Sequence, residues 1–457
     1  MSPKSNPAQA AGNPPPRPNL SVLGQTSRFY RDPIKLLRDT QEECGDVFEL
    51  EILGMGKWIF FCSPEASHTV FRAAPDTLLA GKAHATFHGA FLGYDALATL
   101  DGSRHYERRR MILPALNGRP ALRHLPTIHQ LAVDTIERMP TDSSFSLLSY
   151  AHRLSLEVMV HVVFESKADD TKTVVLELFD DYMKKTMHSP LARLPFLQHD
   201  LGGWSPWGKI LRLRTHIRQI FLDLVQTRRR HLDPDHPEDL LAQLLVAEHG
   251  EGAKLDDESI VDELLTLLFT GHETPASLLT WIFEHMLDNP DIEREMRDEV
   301  ERVLGDEPIR VEHLRQLPYL DAVVQEGLRI APIAPLTAAR YVEKPFELCG
   351  YTIESGRTIA HAFHTQVNRD DIFPDPGPFD PKRFLERDYS LDEWAPFGGG
   401  RRLCTGRGLA EIEMTVVLAT MLQHLRVRPV KAKRSVERSG IMYVPEGGLE
   451  LTIERSM

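Results

Sequence analysis

Phe397-Gly-Gly-Gly-Arg-Arg-Leu-Cys-Thr-Gly406 decides how the rest of the chain reads. It is a glycine-rich loop holding one cysteine. Arg407-Gly-Leu-Ala-Glu-Ile-Glu-Met414 follows with a helical pattern. A cysteine at a helix start lies near the positive end of the dipole and near unpaired backbone N–H groups. Both features favour a thiolate. Flanking glycines let backbone approach a flat ligand and take unusual φ values. The other cysteines, Cys44, Cys62 and Cys349, are far apart, and no C-x-x-C pair occurs. A zinc ribbon or disulfide framework is therefore not expected. The usage fits a reducing cytosol. Taken alone, a single cysteine is most often a small buried hydrophobe.

A lone thiolate with no second cysteine or nearby histidine suits one axial bond to haem iron. The loop resembles the haem-binding signature of the cytochrome P-450 superfamily, F-x-x-G-x-R-x-C-x-G. Phe397, Gly400, Arg402, Cys404 and Gly406 match it. The resemblance implies haem b as cofactor, with Cys404 as the metal ligand and Phe397 packed near the sulfur. It also implies a mainly α fold with small β-sheets (α+β), a single large triangular prism. That domain is expected over 25–457, behind a flexible Pro-rich segment at 1–24.

Other marks of the family follow in order. Glu326-Gly-Leu-Arg329 resembles its E-x-x-R motif, and Phe379-Asp-Pro-Lys-Arg383-Phe its F-x-P-x-R-F. The implied role is a buried structural network of Glu326, Arg329 and Arg383. Such a network is useful only with well-aligned hydrogen bonds. Read alone, Glu326 and Arg329 would be an ordinary i, i+3 surface pair. His105 and Arg109 match an H-x-x-x-R pattern, one helical turn apart. With Arg340 and Arg402 they are the implied partners of the haem carboxylates.

Thr270-Gly-His-Glu-Thr-Pro275 interrupts an apolar helix. Pro275 has no N–H for the carbonyl of Gly271, so a kink beside Thr274 is expected. A plain helix start at Thr274-Pro275 is the other reading. The segment resembles the family motif [AG]-G-x-[DE]-T, although Thr270 and Pro275 depart from the usual residues. The resemblance implies Thr274 as oxygen-side donor, Glu273 as the acid linked to proton delivery, and Gly271 as room for dioxygen. An intact Glu273–Thr274 pair favours a monooxygenase. It speaks against a haem-thiolate isomerase or dehydratase and against a peroxide-dependent hydroxylase. A non-catalytic haem or small-molecule binding protein is the reading from another class.

The 457 residues carry a net charge of −13, which argues against a nucleic-acid partner. No stretch reaches ~18 apolar residues, and the N-terminus lacks a signal-peptide core. No membrane insertion is expected; a cytoplasmic monomer is. Helices are expected at Leu122–Met139, Leu154–Phe164, Val174–Met187, Ile210–Arg230, Ile260–Leu287 and about 408–424. Short β runs are expected at both ends and in the late middle, pairing over long sequence distances. No length remains for a flavin module. Electrons should come from a separate ferredoxin- or flavodoxin-type protein, docking on Arg104, Arg108, Arg110, Arg401 and Arg407. The substrate, alongside dioxygen, is expected to be an apolar small molecule: a fatty acid, a terpenoid or a polyketide-like product. Candidate contacts are Leu79, Phe87, Phe91, Leu92, Met187, Leu191, Phe269, Ile333, Leu336, Ile441 and Met442.

Overall fold

A computed structural model describes residues 13–165, 169–186, 205–235, 239–249, 253–334, 336–432, 434–439 and 442–454. Six helices carry the site, labelled in chain order. They are α1 (Ala80–Leu92), α2 (Gly102–Ile112), α3 (Leu147–Val163), α4 (Asp257–Asp288), α5 (Pro318–Ile330) and α6 (Arg407–His424).

The long helix α4 is apolar nearly all round, as a helix buried on every side must be. Leu264, Leu265 and Leu268 have no exposed surface. Asp256 caps its start by accepting from the Ser259 N–H at 2.7 Å. The expected helix at Leu154–Phe164 starts seven residues earlier, because Leu147, Leu148 and Ala151 also face the core.

The strands are β1 (Val47–Ile52), β2 (Gly56–Phe61), β3 (Leu78–Leu79), β4 (Phe145–Ser146), β5 (Thr337–Val342), β6 (Thr358–His361), β7 (Val427–Pro429) and β8 (Glu450–Ile453). The largest sheet has the order β1-β2-β6-β5-β3. Its β1–β2 hairpin turns at Gly54 and Gly56, both with φ in the left-handed region. The pairing of β2 with β6 is parallel, from Trp58↔Thr358 to Phe61↔His361. A second sheet places β8 between β7 and β4, with Leu451 opposite Phe145. Long-range pairing is thus how the small sheets form. The expected β region at 346–353 is a hairpin that turns at Cys349 and Gly350.

The packed chain starts at about residue 15, not at 25. Pro15 and Pro18 are buried, and the Pro16 carbonyl accepts from the Glu49 N–H at 2.8 Å. Arg17 pairs with Glu49. A helix at Val22–Arg31 crosses the expected boundary, capped by Ser21. A proline-rich run resists regular structure but can still lie along a sheet edge. Residues 1–12 lie outside the described residues. Among the described residues, no helix is long and apolar enough to cross a membrane.

Candidate active site

A cavity of about 520 Å3 lies between α4 and the loop that precedes α6. Met159 of α3, Val324 and Leu328 of α5, and Thr337 and Arg340 of β5 complete its walls.

Cys404 is exposed, but onto this cavity. Its N–H donates to the Phe397 carbonyl at 3.0 Å, which closes the loop. Burial pushes the thiol pKa up. The Gly406 and Arg407 N–H groups and the Arg109 and Arg407 charges oppose that rise without cancelling it. The helix-start features expected to favour a thiolate are present, and burial acts against them. Gly398 and Gly400 take left-handed φ values, as the glycine-rich loop requires. At Gly400 the close neighbour is protein: a Cβ would stand 1.9 Å from the Phe71 carbonyl oxygen. Gly406 has ordinary φ, and a Cβ there would lie 4.0 Å from the Cys404 sulfur. Phe397 lines the cavity, with the Arg407 guanidinium 5.7 Å from its ring centre.

His105, Arg109, Arg340 and Arg402 all reach the same cavity. Arg109 donates to the Leu403 carbonyl at 2.6 Å, tying α2 to the cysteine loop. Arg402 donates to the Leu100 carbonyl at 2.5 Å and pairs with Asp101. Arg340 is buried and, among the described residues, donates only to the carbonyl of its neighbour Ala339, at 2.9 Å. Burial and the nearby Arg402 push its pKa down to about 10. Burial, then the three arginines, push His105 down to about 3, so its imidazole stays neutral. Three guanidiniums thus face one carboxylate at this edge. Buried cations without counter-charge are costly. An occupant with two carboxylates closes that balance, and haem has two. With a sulfur ligand exposed to the same space, the residues present fit the group.

On the opposite wall, α4 continues unbroken through Pro275. The alternative of a helix start there is excluded. Thr274 lines the cavity and its hydroxyl donates to the Thr270 carbonyl at 3.0 Å. Thr270, the departure from the family motif, lines it too and donates to the Thr266 carbonyl at 2.9 Å. Both hydroxyls satisfy carbonyls of the turn before them, as helical threonines do. One expectation changes, and another gains a packing reason. Gly271 lies at the wall, yet a Cβ there would stand 2.4 Å from the Met159 sulfur. Its small size serves the close approach of α3. Glu273 is not at the wall: it is buried behind α4, 3.2 Å from His272 and 3.6 Å from His152. Residues 273 and 274 lie about 100° apart on a helix, so they cannot share a face.

Glu326, Arg329 and Arg383 come together in the core. Glu326 and Arg329 have no exposed surface and form two bonds of 2.7 Å. Arg383 joins at 3.3 Å, and the Asp380 N–H donates to the same carboxylate at 2.9 Å. The spare donors of both arginines go to the carbonyls of Val367, Pro378, Pro374 and Asp375.

A protein-family model described as Cytochrome P450 matches residues 14–452. The chain belongs to the cytochrome P450 family. Cytochrome P450 138 of Mycobacterium tuberculosis is 28% identical over 449 residues, covering 96% of each chain. Cytochrome P450 137 of the same species is 30% identical over 410 residues, covering 88% of this chain and 82% of that one. Retinoic-acid-bound cyanobacterial CYP120A1 shares the fold, with a TM-score of 0.84 and 24% identity over 97% of this chain and all of that one. The heme domain of cytochrome P450DA does so too, at 0.84 and 20% over 98% of this chain and 99% of that one. The protein is a haem-dependent P450 monooxygenase whose cofactor is haem b.

Several expectations about this P450's surface and pocket need correction. Arg108 is buried on Glu263 and cannot serve a docking face. Arg104 pairs with Asp95 and Arg407 with Glu411, which leaves Arg110 and Arg401 exposed without an ion pair among the described residues. Of the expected substrate contacts among the described residues, only Ile333 lines the cavity. Phe91 packs edge-on against Trp207, Phe87 against Trp58, and Leu92 and Met442 are buried. Leu79, Phe269 and Leu336 are not among its lining residues. Met187, Leu191 and Ile441 lie outside the described residues.

The cavity also has residues that pattern reading missed. Met159, Glu263 and Glu413 line it, as does His84. Asp101 joins Arg402 and caps α1 through the Gly81 and Lys82 N–H groups, at 2.9 and 2.8 Å. The signal for His84 was His84-x-x-x-His88 on a mostly apolar helix.

Proposed function

We propose that this P450 hydroxylates or epoxidises an apolar small molecule of the fatty-acid, terpenoid or polyketide-like class. A separate ferredoxin- or flavodoxin-type protein supplies the electrons. The observation that carries the reading is one cavity bordered by Cys404, by Thr274 and by three arginines. Cys404 would ligate the haem iron, and Arg109, Arg340, Arg402 and His105 would hold the haem carboxylates. Haem supplies the oxygen-activating chemistry, with a thiolate ligand that favours O–O cleavage. The chain's own residues orient substrate, exclude water and deliver protons. Thr274 holds a hydroxyl at the wall, ready to donate into the cavity in place of its helix carbonyl. Glu273 acts from behind the helix, so it passes a proton on by turning its side chain or through water. Leu267, Leu278, Val324, Leu328 and Ile333 favour an apolar guest. Arg110 and Arg401 attract the acidic donor protein.

Reconstitution with a ferredoxin and its reductase tests the reading. Apolar ligands should shift the haem absorption band and yield oxygenated product under reductant and dioxygen. The ferrous–CO complex should absorb as a thiolate-ligated haem, and that signature should vanish in Cys404→Ala. A CO spectrum unchanged by Cys404→Ala, or no product from any apolar ligand that shifts the band, overturns it.

A further inference from the structure

Thr266, Thr270 and Thr274 follow one another at one-turn spacing on α4, and all three line the cavity. Their helix neighbours Leu268, Phe269, His272 and Glu273 are buried, so the surface that Thr270 exposes faces this internal space. Thr270 gives its hydroxyl proton to the Thr266 carbonyl at 2.9 Å. Its oxygen then presents lone pairs to the cavity, as an acceptor. Thr266 behaves differently. The buried threonines Thr135, Thr280 and Thr420 also donate to the carbonyl four residues back, each at 2.7 Å. Among the described residues no hydrogen bond reaches the Thr266 hydroxyl, although the residue is only 5% exposed. A buried hydroxyl without a partner is costly, and this one stands at the wall of a cavity.

Resting on the monooxygenase reading above, we infer that Thr266 and Thr270 bind a hydroxyl group carried by an otherwise apolar substrate. Side chains at i and i+4 on a helix have Cβ atoms about 5–6 Å apart. Two O–H···O bonds of about 2.8 Å, end to end, cover that span. One guest oxygen between the two side chains accepts the proton of Thr266 and donates its own to Thr270. The Thr266 hydroxyl gains its missing partner, and Thr270 keeps its bond to the helix. A ketone or a carboxylate accepts from Thr266 but has no proton for Thr270. A hydrocarbon satisfies neither. Thr270 stands where the family motif has Ala or Gly, so its oxygen is this chain's own addition to the wall. An alcohol of terpenoid or polyketide-like type is therefore a better guest than a fatty acid.

Haem-band titrations of the holoenzyme with menthol, menthone and p-menthane test this, since the three share one skeleton. Menthol should bind about three- to tenfold more tightly than menthone, and p-menthane should bind more weakly still. Thr266→Val and Thr270→Val keep the branched shape and remove the oxygen. Each should lower the menthol-to-p-menthane affinity ratio about three- to tenfold. Three results overturn the inference: no band shift with menthol, menthone bound as tightly as menthol, or a ratio that either valine substitution leaves untouched. A Thr266→Val variant that binds hemin more weakly and keeps the ratio assigns Thr266 to the cofactor, which also overturns it. An intact thiolate CO spectrum with flat selectivity sinks this inference alone. Loss of that spectrum in the unsubstituted protein sinks the monooxygenase reading.

Discussion

Arg108 reaches Glu263 across 155 residues of sequence, Nη1 to Oε2 at 3.0 Å, and both side chains are buried. The Leu97 N–H and the Asp95 carbonyl complete the arrangement at 2.8 and 2.9 Å. Removing one partner strands the other charge in low dielectric. Arg108→Met should cost about 3–5 kcal/mol in urea unfolding of the holoenzyme. A cost below about 1 kcal/mol would mean that the pair is solvated.

With Arg108 buried, Arg110 and Arg401 are the exposed arginines on which the proposed docking rests. The Arg110→Glu, Arg401→Glu double variant should lower the rate of electron transfer from an acidic ferredoxin at low salt. High salt should slow the unsubstituted protein toward the same rate. Rates that ignore both salt and charge reversal would place docking elsewhere.

The Glu326–Arg329–Arg383 triad predicts a folding defect, not a catalytic one. Glu326→Ala leaves two buried guanidiniums without their carboxylate. Haem-loaded soluble protein should fall several-fold, measured by haem content per chain. Normal content would remove the structural role.

Glu413 is buried on α6, with the Ser155 hydroxyl donating to it at 2.7 Å. Burial pushes its pKa up to about 8, against about 4.3 for an unfolded chain. Between those values the folded state holds a proton that the unfolded state has lost. Stability therefore falls as pH rises from about 4.3 to 8, then levels. Glu413→Gln keeps an acceptor for Ser155 and removes the titration. The variant should gain on the unsubstituted protein by on the order of 3 kcal/mol from pH 5 to pH 8.5. Parallel urea midpoints across that range would show that Glu413 does not titrate there.

Thr274→Ala removes the hydroxyl at the cavity wall. Peroxide released per NADH consumed should rise several-fold at unchanged haem content. Coupling at the native level would take the proton-donor role away from Thr274.

Local patterns carried much of this into view. The cysteine loop, the glutamate–arginine pair and the i, i+4 spacing of His105 and Arg109 each lie within a few residues. Spacing alone therefore assigns their faces. Partners hundreds of residues apart were not legible. Nothing near Arg108 names Glu263, so it looked like surface, and nothing near Gly271 names Met159, so its packing reason stayed hidden. Glu273 and Thr274 read as a pair because they are adjacent, yet helix geometry turns adjacent side chains apart. The apolar candidates failed for a related reason. Core and pocket draw on the same residue types, and only tertiary packing separates Ile333 from Phe91.

The bond between Asp101 and Arg402 also orders events in time. The cap of α1 is synthesised roughly 300 residues before the arginine and the cysteine proposed to hold haem. At about 5–20 residues per second, that gap is on the order of 15–60 s. Through that interval α1, β2 and the early helices lack the partners that bury them. Haem capture must therefore follow emergence of the cysteine loop from the ribosome. A shortage of haem would leave finished chains with a charged, unfilled interior, a substrate for chaperones and proteases before it is an enzyme.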